Sequence, residues 1–310
     1  MSYSIFIDGE AGTTGLEIRE RLEARNDLEL ILLGDRRRDP AARREALNAA
    51  DAVILCLPDD AAKDAVAMID NPAVRVIDAS TAFRVDPAWA YGFAEMAPEQ
   101  AEKIAGATRV SNPGCYPTGF IGLVRPLVSA GIIPAGWPVT VNAVSGYSGG
   151  GKAMIAEFEA GGAGSYRAYG LPLRHKHVPE MTLHTGLERP VLFAPAVGAY
   201  RQGMLVEVPL HLSVLPETPS VERLHGALAE AYAGRRFVEV AELETTEAMT
   251  GLDPEGLNGT NRMRLHVFGD RSGSQVRLVA LLDNLGKGAS GAAVQNLNLM
   301  LGLDEATGLA

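Results

Sequence analysis

Cys115 sits in Ser111-Asn112-Pro113-Gly114-Cys115-Tyr116-Pro117-Thr118-Gly119, where prolines and glycines stiffen a turn. The apolar stretch after it, 120–128, reads as a buried helix. A thiol at such a junction faces the positive end of a helix and backbone N–H groups that no carbonyl has claimed. Both favour the thiolate, the nucleophilic form of cysteine. The competing reading is an inert, buried thiol, and the turn residues weigh against it. The other cysteine, Cys56, lies in Val53-Ile54-Leu55-Cys56-Leu57, a buried-strand pattern with no chemistry attached.

A nucleophile of this kind needs proton handling and anion binding nearby. His175 and His177 lie in Leu173-Arg174-His175-Lys176-His177-Val178-Pro179. Two residues apart, they face the same way on an extended segment. Imidazole suits proton transfer near neutral pH, and His177 is preferred of the two. No further ligand stands at a sensible spacing, so no metal is expected. Ser145-Gly146-Tyr147-Ser148-Gly149-Gly150-Gly151-Lys152 offers backbone N–H groups and a cation for an anion. Ala153 after Lys152 breaks the nucleotide P-loop pattern. Arg84 closes Asp78-Ala79-Ser80-Thr81-Ala82-Phe83-Arg84 and is a candidate clamp for an anionic substrate group. An ordinary surface ion pair is the other reading of it.

These residues need elements to carry them. Residues 4–8 read as a strand, followed by Gly9-Glu10-Ala11-Gly12-Thr13-Thr14-Gly15 and a helix from Leu16. Strand, glycine-rich turn and helix aim N–H groups at a pyrophosphate. The spacing is G-x-x-G-x-x-G rather than the usual G-x-G-x-x-G. A second strand, 28–33, ends in Gly34-Asp35-Arg36-Arg37-Arg38, where a ribose-reading residue belongs. The arginines there outnumber Asp35 and suit a 2′-phosphate, which favours NADP over NAD. Strands over 53–57 and 74–78 around a helix over 61–69 continue a doubly wound parallel sheet. Ligands of such sheets bind beyond the carboxyl ends of the strands, where Ser80 and Arg84 stand.

The second half is richer in strands: 138–144, 203–212, 235–243, and a hairpin of 263–269 with 275–284 across Asp270–Ser274. Helices are expected over 179–187, starting at Pro179, and over 220–233. This is an α+β domain with a mostly antiparallel sheet, whose open face needs covering by helices or another subunit. The small residues of 288–293 allow a helix start to pack on something flat, either a cofactor ring or another helix.

The chain has 310 residues, 47% of them hydrophobic, which is ample for two domains. A net charge of −10 argues against nucleic-acid or anionic-membrane surfaces. Two cysteines suggest no disulfide framework and fit a reducing compartment. No apolar run reaches about 18 residues and no leader pattern is visible, so a soluble cytoplasmic protein is expected.

Taken together, the segments 9–15, 78–84, 111–119, 145–152, 175–180 and 283–300 resemble, in order, the N-acetyl-gamma-glutamyl-phosphate reductase family, in its shorter subgroup. Its parent group is the semialdehyde dehydrogenases, related to glyceraldehyde-3-phosphate dehydrogenase. The Asn112–Thr118 and Lys287–Asn296 segments carry the resemblance most specifically. The 9–15 turn departs from it, lacking Ala-Thr after the first glycine. The resemblance implies a Rossmann domain for NADP over 1–112 plus 285–310, and a catalytic and oligomerisation domain over 113–284. It implies that Cys115 attacks an acyl phosphate to give a thioester, which NADPH reduces to an aldehyde, with His177 or His175 moving the proton. Cofactor contacts are expected from Gly9, Gly12, Thr13, Thr14, Gly15, Arg36, Arg37, Ser80, Asn284, Lys287 and Gly288. Substrate contacts are expected from Arg84, Asn112, Ser145, Gly149 and Lys152. A homodimer or homotetramer is implied. Two alternatives stay open: reduction of another acyl phosphate, such as aspartyl or aminoadipyl phosphate, and a dinucleotide-binding redox sensor without turnover.

Overall fold

Alternating strands and helices build a first unit from Met1–Ala94, Glu99–Gly114 and Ala289–Ala310. The structure, a computed structural model, describes residues 2–270 and 272–310, without the side chains of Arg37 and Arg38. In chain order the unit contains β1 (Tyr3–Asp8), α1 (Thr13–Glu23), β2 (Leu28–Ile31), α2 (Pro40–Ala49), β3 (Ala52–Leu55), α3 (Asp59–Ala67), β4 (Arg75–Asp78), β5 (Ala90–Tyr91), α4 (Gln100–Gly106) and β6 (Arg109–Ser111). The C-terminal helix Gly291–Leu301 completes it. The strands form one sheet in the order β2-β1-β3-β4-β6-β5, every pair parallel.

Side-chain alternation fills both faces, as an all-parallel sheet requires. Ile5, Ile54 and Ile77 pack with Ile18 and Leu22 of α1 and Val294 and Leu297 of the C-terminal helix. Phe6, Val53, Leu55 and Val76 pack with Ala46 and Leu47 of α2 and Ala62 and Ala65 of α3. The second strand stops at Ile31, earlier than expected, because Gly34–Arg38 winds into a 3₁₀ turn. The third strand ends at Leu55, which leaves Cys56 just beyond it. Its successor α3 starts at Asp59, where Asp59 and Asp60 suit a helix N-terminus.

The second unit is Glu95–Pro98 with Cys115–Gly288. It holds α5 (Cys115–Ser129), β7 (Thr140–Gly146), α6 (Gly151–Glu159), β8 (Tyr166–Ala168), α7 (Val178–Thr185), β9 (Leu192–Gly198), β10 (Met204–His211), α8 (Val221–Ala231), β11 (Val238–Val240), α9 (Leu243–Glu247), β12 (Met263–Gly269) and β13 (Gln275–Leu282). The sheet order is β11-β12-β13-β10-β7-β9-β8. The pairs β7–β9 and β11–β12 are parallel, the rest antiparallel. The β12–β13 hairpin pairs Met263 with Leu282 through Gly269 with Val276. At its turn, the Asp270 carboxylate accepts from the Ser274 and Gln275 amides; Arg271 lies outside the described residues. The strand expected over 235–243 shrinks to Val238–Val240. From Glu242 the chain coils instead, with the Thr246 amide and hydroxyl both donating to the Glu242 carbonyl.

Helix α5 starts five residues earlier than expected, at Cys115 itself. It contains Pro126, which has no N–H to donate to the Gly122 carbonyl one turn back. The Tyr232 hydroxyl donates to that carbonyl instead, at 2.9 Å. A buried helix thus keeps its proline without an orphaned acceptor.

Candidate functional site

Cys115 is the first helical residue of α5 and half-buried. The N-terminal turn of a helix is where a thiolate gains most from unsatisfied N–H groups and the axial dipole. Cys56 has the opposite environment. Burial, with Asp78 and Asp8 nearby, pushes its thiol up to about 12, so it stays protonated.

Around Cys115 the second unit assembles rings. Tyr116 lies 6.4 Å from the His175 ring centroid, 6.1 Å from His177 and 5.1 Å from Phe193. Tyr169 sits 5.7 Å from His175. The two histidine rings are 4.7 Å apart at 66°. They meet through a turn and not along an extended segment, which corrects the expected geometry. His177 has helical backbone angles as the cap of α7, and its amide donates to Nδ1 of His175 at 3.2 Å. The Val178 amide donates to the His175 carbonyl and closes the turn. His175 is pushed down to about 4, first by burial and then by Lys176. It is therefore neutral at pH 7, with Nδ1 as acceptor. His177 is buried at the base of the same group.

Both tyrosines are held in their phenol form. Burial raises Tyr169 to about 12 and Tyr116 well above its ordinary value, and the charge of Cys115 adds to both effects. Tyr169 donates to the Tyr116 oxygen at 3.2 Å, and Tyr116 donates to the Ala196 carbonyl at 3.0 Å. These tyrosines were missed in the sequence, although Tyr116 adjoins the cysteine; only β9 and the 169–177 loop reveal the box.

Ser145, Gly149 and Asn284 converge in the same unit. A Cβ on Gly149 would meet the Ser145 Oγ at 3.2 Å and Asn284 Nδ2 at 3.5 Å. Asn284 donates to the Ser148 hydroxyl at 2.9 Å and accepts from the Gly203 amide at 2.7 Å. Lys152 is an exposed residue in the first turn of α6, so the glycine run is a helix start and not an open loop. Gly288 packs directly on Cys115: an added Cβ would lie 2.8 Å from the Cys115 Cβ. The Lys287 ammonium does not reach toward a ligand. It is bound to both carboxylate oxygens of Glu95, at 2.8 and 2.7 Å.

The first unit carries a separate cradle. Gly9 follows β1 at φ +90°, and a Cβ there would strike the Cys56 carbonyl oxygen at 2.4 Å. A Cβ on Gly15 would strike the Gly9 carbonyl at 2.5 Å. The turn therefore lies flush between the ends of β1 and β3, the point where the strand order reverses. Helix α1 follows from Thr13 with Thr14 and Gly15, capped by Gly12 without any side chain, and with no acidic residue in its first turn. Its N–H groups suit a pyrophosphate. Beside it lies a cavity of about 520 Å³ lined by Asp8, Gly9, Glu10, Ala11, Asp39 and Arg43, among others. Arg43, unnoticed in the sequence, donates to Asp8 at 2.8 Å. A flush glycine turn, an open helix start and this cavity fit a dinucleotide. Arg36 is exposed and 3.8 Å from Glu45; the Arg37 side chain lies outside the described residues.

Ser80, Arg84 and Asn112 are turned to internal duties. Ser80 donates to Asp78 at 2.6 Å. Arg84 is buried and donates to the carbonyls of Asn112 at 2.9 Å and Ala79 at 3.0 Å. Asn112 donates to the Ala289 carbonyl and accepts from Asn296. These bonds fix the turn that leads to Cys115.

Comparison with known proteins decides the family. Residues 4–104 match the NAD binding domain of semialdehyde dehydrogenase and residues 115–284 its dimerisation domain. The chain is 59% identical over 308 residues to the N-acetyl-gamma-glutamyl-phosphate reductase of Rhizobium etli, covering 97% of this chain and 99% of that protein. It is 57% identical over 309 residues to that of Brucella ovis, covering 97% and 100%. The chain belongs to the N-acetyl-gamma-glutamyl-phosphate reductase family of semialdehyde dehydrogenases.

Distant solved structures agree on the family's fold. Aspartate semialdehyde dehydrogenase II of Vibrio cholerae superposes with a TM-score of 0.69 at 16% identity, covering 97% of this chain and 98% of that one. The Candida albicans enzyme solved with NADP gives 0.64 at 14%, covering 97% and 99%. No described helix is long and apolar enough to cross a membrane.

Proposed function

We propose that this chain reduces N-acetylglutamyl phosphate to N-acetylglutamate semialdehyde with NADPH, releasing phosphate, as a step of arginine biosynthesis. The observation that carries the chemistry is Cys115 as first residue of a buried helix, next to Tyr116, whose ring lies 6.4 and 6.1 Å from those of His175 and His177 and whose oxygen accepts from Tyr169. The substrate follows from the near full-length identity to reductases of that name.

The Cys115 thiolate adds to the acyl carbon, and phosphate departs with the C–O bonding electrons, leaving a thioester. Splitting the reaction this way replaces one hard displacement by two easier steps. Backbone N–H groups at the start of α5 face the developing oxyanion. When bound, NADPH supplies the hydride. The alkoxide left by hydride addition takes a proton from His177, which takes it back from the hemithioacetal hydroxyl as C=O re-forms, the C–S bond breaks to return the thiolate and the aldehyde is released. His175, neutral and accepting from the His177 amide, sets that residue's orientation. Ser145, Gly149, Asn284 and Lys152 are the polar groups for the substrate's anionic ends. Arg84 and Asn112 serve by holding the 111–114 turn. Gly9, Gly12, Thr13, Thr14 and Gly15 hold the pyrophosphate, with Ser80 near the sheet's carboxyl edge, and Arg36 and Arg37 meet the 2′-phosphate. The dimerisation-domain match supports a homo-oligomer, which we read as a homodimer or homotetramer working in the cytoplasm.

NADPH oxidation with N-acetylglutamyl phosphate, against aspartyl phosphate as competitor, tests this reading. Turnover with the first and at least 100-fold less with the second is expected. Cys115→Ser should abolish turnover yet still bind NADPH; a turning-over Cys115→Ser enzyme refutes the thioester.

A further inference from the structure

Lys287 and Glu95 are 192 residues apart and form an ion pair whose side chains are only 1% and 4% exposed. Desolvating two charges is costly, so such a pair is weak evidence for stability alone. Its neighbours suggest another use. Lys287 lies in the π-helical turn Gly286–Ser290, a rare form frequent at functional sites. The next residue, Gly288, is pressed onto Cys115. Glu95 opens the strap Glu95–Pro98, which the second unit claims. Arg125 of α5 donates to the Met96 carbonyl at 3.1 Å, and Arg235 to the Ala97 carbonyl at 3.3 Å. The links therefore close a ring: Cys115, its own helix, Arg125, the strap, Glu95, Lys287, Gly288, and back to Cys115. Every link but the last is covalent, ionic or a hydrogen bond. The last is a close approach, so tight that a Cβ added to Gly288 would meet the Cys115 Cβ at 2.8 Å, and its fit depends on the others.

We propose that the Lys287–Glu95 pair is a positioning device for Cys115. It holds the π-turn against the nucleophile and touches neither substrate nor cofactor. This rests on Cys115 being the nucleophile. The readout is the rate and pH profile of Cys115 alkylation by iodoacetamide, located by mass spectrometry, which needs no turnover.

Removing one partner strands a buried charge, so Glu95→Leu with Lys287→Met, which removes both, is the main variant. Folded, it should alkylate Cys115 at least fivefold more slowly or with a displaced pH profile. Its kcat should fall about 10- to 100-fold, the scale of a misplaced reacting group, with KM and NADPH affinity within threefold. Should the double variant not fold, Lys287→Arg keeps the charges but respaces the turn and should still shift the alkylation rate at least threefold. Normal alkylation and kcat in a folded double variant, or in Lys287→Arg where that is the folded one, overturn the proposal. Turnover by Cys115→Ser overturns the thioester instead, so the two failures are distinguishable.

Discussion

Gly288→Ala tests the packing at the nucleophile with a single methyl group. The added Cβ would lie 2.8 Å from the Cys115 Cβ, 3.2 Å from the Cys115 Cα and 3.1 Å from the Asp283 carbonyl oxygen. Carbon atoms rest at about 3.5–4.0 Å, so roughly 0.7–1.2 Å must be found against the 2.8 Å contact. Two of the three obstacles are backbone atoms and the third is a Cβ fixed by its backbone, so no rotamer change can move any of them. Retreat of the π-turn is opposed by the Gly288 amide bond to the Asp283 carbonyl at 2.9 Å and by the Lys287–Glu95 pair. Cys115 must give way, and the start of α5 with it. Overpacking of this kind costs about 1–3 kcal/mol of stability, while a displacement near 1 Å at a reacting atom costs on the order of 10² in rate. The expected variant folds with a modestly lower melting temperature, binds NADPH normally and loses about 10²-fold in kcat. Steady-state kinetics with N-acetylglutamyl phosphate, beside a fluorescence titration of NADPH, measures both. A folded variant with kcat within twofold of the parent would show that the contact on Cys115 is slack, and the reasoning would fail.

Replacing Arg36 and Arg37 together should weaken NADPH far more than NADH, by roughly tenfold or more for loss of a charge-assisted contact; equal losses for both cofactors would remove the 2′-phosphate argument. His177→Asn should lower kcat by roughly 10²–10⁴. His175→Asn should cost less, because His175 is already neutral at working pH; the reverse order in the same kinetic series would exchange their roles. The depression of His175 to about 4 also predicts a pH dependence of stability. Between about pH 6.5 and 4 the unfolded chain binds the proton more readily, so stability drops as pH falls through that window. Urea midpoints measured from pH 7 to 4 should show this, and His175→Gln should flatten it; parallel curves for the two proteins would contradict the burial of that imidazole.

What the sequence revealed, and what it hid, follows from the range of the forces involved. The first four strands of the parallel sheet were legible because each is a short, largely apolar run in βα order, whereas β5 (Ala90–Tyr91) and β6 (Arg109–Ser111) are too short and polar to announce themselves. The hairpin of β12 and β13 was legible because a turn and two alternating strands are local. Strand β9 was not: Pro195 argues against a strand, yet β9 runs between β7 and β8, with the Pro195 carbonyl accepting from the Tyr169 amide. Cys115 and the glycines of the first turn announce themselves by their neighbours in the chain. Lys287 announced only a charge. Read locally, a lysine among glycines near a helix start invites a phosphate or a cofactor. What decides its role is Glu95, which no spacing rule connects to it, and a buried cation goes to the carboxylate that shares its burial. The same holds for Arg84, expected as a clamp for an anionic group, whose guanidinium is claimed by the Asn112 and Ala79 carbonyls. Cys115 and the glycines of the first turn keep the places their local motifs gave them, whereas the buried cations Lys287 and Arg84 are spent on internal partners, a role legible only once those partners are known.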